Sequence, residues 1–124
     1  MKSKFGDRML QFRLPHVSIS DSDEEGCEIE FTESPDSEDT YVLLQRHFEP
    51  PDDGSVYVES HHLAICGHFR IRKVELRNNE LCFSLSGDAD ETVQVSFEAE
   101  EGQYRRLKKA LSMMIPARSL SIQQ

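Results

Sequence analysis

Apolar residues recur at every second position through most of the first hundred residues and at every third or fourth thereafter, so the chain predicts a succession of strands followed by one helix. Leu10, Phe12 and Leu14 alternate with polar residues, Pro15 interrupts them, and Val17 and Ile19 resume, which predicts an edge strand broken at the proline. DSDEEG (21–26) reads as a turn. Cys27, Ile29 and Phe31 then alternate with Glu28, Glu30 and Thr32, giving a half-buried strand with an acidic outward face, and SPDSED (34–39) reads as a loop. In TYVLLQRHF (40–48), Val42 and Leu44 fall on one face and Tyr41 and Leu43 on the other, as expected of a central strand covered on both sides.

EPPDDG (49–54) must turn, because Pro50 and Pro51 lack amide hydrogens, and a short strand follows over Val56–Glu59. SHHLAICG (60–67) reads as a loop with a short strand. Phe69 and Ile71 begin an alternation that is one position out of phase with Val74 and Leu76, a shift that predicts a bulge. The clearest local signal is VELRNNELCFSL, where Val74 and Leu76 face Leu81, Phe83 and Leu85 across Asn78 and Asn79, residues that tolerate the positive φ of a two-residue hairpin. A turn over Gly87–Glu91 and a strand through Val93, Val95 and Phe97 complete an antiparallel meander over 69–98.

Beyond Gly102 the period becomes helical. Tyr104, Leu107, Leu111, Met114 and Ile115 form one stripe, Arg105, Arg106, Lys108 and Lys109 stay solvated, and Pro116 ends the helix. The expected fold is α+β: an antiparallel sheet of about five to seven strands with one amphipathic C-terminal helix packed on one face. A chain of 124 residues fits a single domain. Residues 1–9 are expected to be disordered, and 117–124 to be disordered or a short extension.

Charge narrows the function. With 23 acidic against 14 basic residues the net charge is −9, which disfavours sequence-independent binding to phosphates and favours a cationic partner. Ten acids lie between Asp21 and Asp39, whereas 102–124 carries five bases and no acid. Three scattered cysteines, Cys27, Cys66 and Cys82, suit a reducing compartment better than a disulfide framework. No apolar run has the length of a signal or a membrane span, so a cytoplasmic protein is expected.

The candidate chemistry is sparse. His61, His62, Cys66 and His68 are metal-ligating types, but adjacent histidines on a strand face opposite ways and no CxxC or HExxH accompanies them. Cys66 and His68 share a strand face, yet no glycine-rich elbow or helix N-terminus stands near to supply an oxyanion hole. Most carboxylates fall in turns, where a catalytic pair is not expected. Phosphate-cradling, dinucleotide, hydrolase and calcium-loop motifs are missing. The basic helix face is more simply solvated than nucleic-acid-binding, because no aromatic residues interleave with it. The expectation is therefore a binding protein with no catalytic residue, cofactor or metal.

Over residues 41–115 the chain resembles the immunity protein 10 family of polymorphic-toxin systems. The matching segments are YVLLQR (41–46), VYVE (56–59) after an acidic loop, Cys66–Gly67, the VELRNNELCFSL hairpin and VQVSF (93–97) before the helix. Where that family tends to show an aromatic residue with two glycines, this chain has Cys66, Gly67 and His68. The resemblance implies an α+β protein that binds and occludes a cognate toxin. On that basis the partner-binding candidates are the acids Asp21, Asp23, Glu24, Glu25, Asp36, Asp39, Asp52, Asp53 and Glu59, meeting a basic toxin surface, with Tyr41, Tyr57, His61 and His62 as anchors. The rival expectation is a homo-oligomeric accessory protein paired through an exposed strand edge.

Overall fold

The computed structural model describes residues 8–22, 25–48, 54–61, 65–85 and 91–122. In chain order these form β1 (Arg8–Arg13), β2 (His16–Ser22), β3 (Gly26–Ser34), β4 (Ser37–His47), β5 (Val56–Ser60), β6 (Cys66–Phe69), β7 (Ile71–Arg77), β8 (Glu80–Leu85), β9 (Glu91–Ser96), helix α1 (Glu101–Met114), a 3₁₀ turn (Ala117–Ser119) and β10 (Leu120–Ile122). The α+β class and the terminal helix are as the pattern predicts. The single sheet is not: the strands sort into two sheets of five, β1-β9-β8-β7-β10 and β2-β3-β4-β5-β6. We call these the meander sheet and the long sheet.

Two crossings explain the difference. Pro15 does more than break an edge strand, because β1 before it joins the meander sheet and β2 after it joins the long sheet. The junction stays tied to the meander sheet, with Leu14 N–H donating to Ser96 O at 2.8 Å and Glu98 N–H to Pro15 O at 3.0 Å. At Arg70 the chain crosses back, so the change of phase between Phe69 and Val74 marks a change of sheet, and a register shift between Ile71 and Lys73 follows it. Both outer strands of the meander sheet, β1 on β9 and β10 on β7, run parallel to their neighbours. The segment after Pro116 thus contributes a strand.

The loop expected at 34–39 shrinks to Pro35 and Asp36, because Ser34 and Ser37 still pair at the tip of the β3–β4 hairpin. At the other end of that hairpin Gly26 lies opposite His47 with φ +146°, and a Cβ there would strike the Arg46 carbonyl oxygen, so only glycine fits. In the β7–β8 hairpin Arg77 pairs with Glu80, and of the two turn residues Asn79 takes the positive φ, +62°.

Each sheet turns one set of alternate residues inward. Val17, Cys27, Ile29, Phe31, Val42, Leu44, Val56 and Val58 of the long sheet share one core with Val74, Leu76, Leu81, Phe83, Leu85, Val93 and Val95 of the meander sheet. Phe31 meets Phe97 across that core at 5.3 Å between ring centroids. Full burial of each such side chain contributes about 1.5–3 kcal/mol, which is why inward positions fix the register. Helix α1 adds Leu107, Ala110, Leu111 and Met114 and packs on β2 and β3, where the Cys27 thiol points at Ala110 O, 3.7 Å away.

The same helix closes one edge of the long sheet. β2 pairs with β3 on one side, and on its other side Gln103 Nε2 donates to Val17 O at 3.0 Å and Arg106 Nη2 to Ile19 O at 2.7 Å. Side chains of α1 thus occupy carbonyl oxygens that a further strand would otherwise use.

Candidate functional site

The register of β3, β4, β5 and β6 determines which outward residues of the long sheet are neighbours. One row across these strands reads Glu30, Leu43, Glu59, Cys66, and the next reads Glu28, Gln45, Tyr57, His68. Tyr41 lies one row beyond Leu43, so Glu59 stands at the level between Tyr57 and Tyr41. β4 is central, as expected, but its second face is uncovered: Tyr41, Leu43 and Gln45 are half-exposed while Val42 and Leu44 are buried.

Glu59 is the focus of this face. The Tyr41 hydroxyl donates to one of its carboxylate oxygens and the Tyr57 hydroxyl to the other, each at 2.5 Å. Such charge-assisted bonds are short and strong, and both favour the ionised acid, so Glu59 is held below its ordinary range. The phenols respond in the opposite sense, since ionising either would put a second negative charge beside Glu59. The hydrogen bond to Glu59 is the main cause for both: Tyr41 is pushed up to about 12, and Tyr57 is raised as well.

Surrounding contacts fix the two rings. Tyr41 lies against the His61 ring at 6.4 Å, and His61 in turn meets Phe12 edge-on at 5.2 Å. The Tyr41 amide donates to His61 Nδ1 at 3.1 Å. Tyr57 lies against His68 at 5.3 Å, and its hydroxyl is 3.7 Å from Cys66 Sγ. In the adjoining row Gln45 Nε2 donates to Glu28 Oε1 at 3.0 Å.

Four candidates from the sequence, Tyr41, Tyr57, Glu59 and His61, are therefore brought together. The others are not beside them. Asp21 and Glu25 lie at the opposite end of β3, lining a cleft of about 310 Å³ with Glu28, Arg46 and His47. Asp21 is there paired with the helix, 3.7 Å from Arg106 and 3.8 Å from Lys109. Asp36 is exposed at the β3–β4 tip and Asp39 is exposed on β4. Asp23, Glu24, Asp52, Asp53 and His62 lie outside the described residues. Glu28, Glu30, Leu43 and Gln45 share the face without having been singled out. Their signal was parity, since each falls on the outward alternation of its strand.

Burial pushes the Cys27 thiol up to about 11, and burial likewise raises Cys82, the reverse of what a nucleophilic thiolate requires. Among the described residues no group of three or more His, Cys, Asp or Glu side chains is placed to hold a metal ion. No helix among them is long and apolar enough to cross a membrane.

With two five-stranded sheets, one helix, and tyrosines, a leucine and carboxylates on the outward face of the long sheet, the chain belongs among small α+β proteins. More particularly, the family model described as Immunity protein 10 matches residues 14–105, and the chain belongs to that family. Neither the curated proteins nor the solved structures compared with it give a match. Membership makes this an immunity protein and implies a cognate toxin as its partner.

Proposed function

We propose that the protein neutralises its cognate toxin by non-enzymatic binding and occlusion, with the outward face of the long sheet as the contact surface and a basic region of the toxin as the surface it meets. One observation carries this reading: half-exposed Tyr41, Leu43 and Tyr57 lie among Glu28, Glu30 and Glu59, and no Lys or Arg occupies an outward position on β2 to β6. Tyrosines are favoured anchors because they bury a large area at low entropic cost, and complementary charge guides encounter and orientation. The acids at either end of β3 then act at longer range, as steering charges around the contact.

The test begins with copurification of the full chain from its native host and identification of the bound protein. That protein should arrest growth when expressed alone and be tolerated when this chain is co-expressed. An unbound chain, or a partner whose toxicity persists in its presence, overturns the reading. Neutralising Asp21, Asp23, Glu24 and Glu25 together should slow association about tenfold or more at low salt; an unchanged rate removes that segment from the steering role. Self-association through a strand edge would instead appear as a concentration-dependent mass in light scattering.

A further inference from the structure

We propose that Glu59, set between Tyr41 and Tyr57, is a receptor for an arginine guanidinium presented by the toxin. The inference rests on the outward face of the long sheet being the docking surface, and it specifies the group that this face receives.

The geometry selects guanidinium over other cations. A carboxylate offers about four acceptor positions, two on each oxygen. The two phenols occupy one on each oxygen of Glu59, which leaves one acceptor position on each oxygen. A guanidinium carries paired N–H groups at matching separation and binds such a pair in parallel, whereas an ammonium is a point charge that gains nothing from the pairing.

The site is also prepared in advance. The phenol hydrogen bonds orient the carboxylate, and His61, Phe12 and His68 hold the rings, so little ordering remains for the moment of binding. The charge is not already neutralised within the chain. Glu75 has Lys73 at 3.1 Å and Arg77 at 3.6 Å, and Asp21 has Arg106 and Lys109, but among the described residues Glu59 is held by phenols and by no Lys or Arg. An anion kept ionised by neutral donors on an open face remains available to an incoming cation.

Amide chemical shifts of the full chain, titrated with arginine amide and separately with lysine amide, test this directly. The expected result is a saturable response at residues 41–45 and 57–59, at least about fivefold tighter for arginine amide. It should be lost in Glu59→Gln and retained in Glu75→Gln, which removes a charge from the other sheet. An equal response to lysine amide, persistence in Glu59→Gln, or equal loss in Glu75→Gln overturns the receptor. Should Glu59→Gln fail to fold, the paired Tyr41→Phe and Tyr57→Phe changes keep the rings but release the carboxylate, and should weaken the arginine response several-fold; an unchanged response would overturn the proposal. Undiminished toxin affinity in Glu59→Gln would also overturn it, while leaving neutralisation by binding intact. An arginine-selective response from a chain that forms no toxin complex supports the receptor and removes the toxin as its occupant.

Discussion

The outward faces of the two sheets are built on one core and differ in how their charges are settled. On the meander sheet Glu75 pairs with Lys73 and Arg77, and Gln11, Gln94 and Glu80 form a hydrogen-bonded chain with contacts of 3.2 and 2.7 Å. On the long sheet Glu59 is held by two phenols, and among the described residues no Lys or Arg pairs with it. The lesson is that net charge alone does not locate an interaction surface. Acids already paired within the fold have little to offer a partner, while acids fixed by neutral donors retain their full attraction.

Charge reversal gives this contrast its hardest test. Glu59→Lys should weaken toxin binding by about a hundredfold or more, because a like charge would face the incoming base, whereas Glu75→Lys on the other sheet should leave affinity within about twofold. Both are measurable by titration calorimetry, and equal losses would abolish the distinction between the faces.

The next effect concerns pH. Glu59 lies below its ordinary value of 4.5, so its contribution to stability is present above that value and is lost as pH falls through the lowered one. Tyr41 lies above its ordinary value of 10.0, so its contribution is present below pH 10 and is lost as pH rises toward about 12. Denaturant titrations should therefore show the largest gap between the natural chain and Glu59→Gln in the range between, narrowing on either side. Phenolate absorbance should appear at lower pH in Glu59→Gln, with Tyr104, raised by burial alone, unaffected.

A smaller effect is expected from Arg106→Ala, which removes the donor to Ile19 O and a partner of Asp21. About 0.5–1.5 kcal/mol should be lost in equilibrium unfolding. The smallest belongs to the meander sheet, where Glu75→Gln should cost under about 0.5 kcal/mol, since its bridges to Lys73 and Arg77 lie at the solvent boundary.

How much of this was legible beforehand follows from what alternation encodes. Inward sets such as Ile29 and Phe31, or Val93 and Val95, were readable because burial acts residue by residue along a strand. Which strands lie side by side was not, because pairing over long separations, such as β1 on β9 or β10 on β7, leaves no periodic trace. Pro15 was read as a break within one edge strand because a proline reveals that a ladder stops and says nothing of where the chain goes next. The site divides in the same way. Tyr41, Tyr57, Glu59 and His61 were identifiable as polar or aromatic residues on or beside strands, but the convergence of two phenols on one carboxylate depends on the β4–β5 register. The pairing of Asp21 with Arg106 and Lys109 was not legible, because the helix that supplies those bases follows some eighty residues later.

The covering of β2 by Gln103 and Arg106 bears on how such a chain behaves when it is abundant. A sheet margin where two carbonyl oxygens are taken by its own helix is a poorer template for a second copy to extend from that side. Exposed sheet margins ordinarily carry a hazard of pairing with their own kind, and here the helix lessens that hazard at one flank.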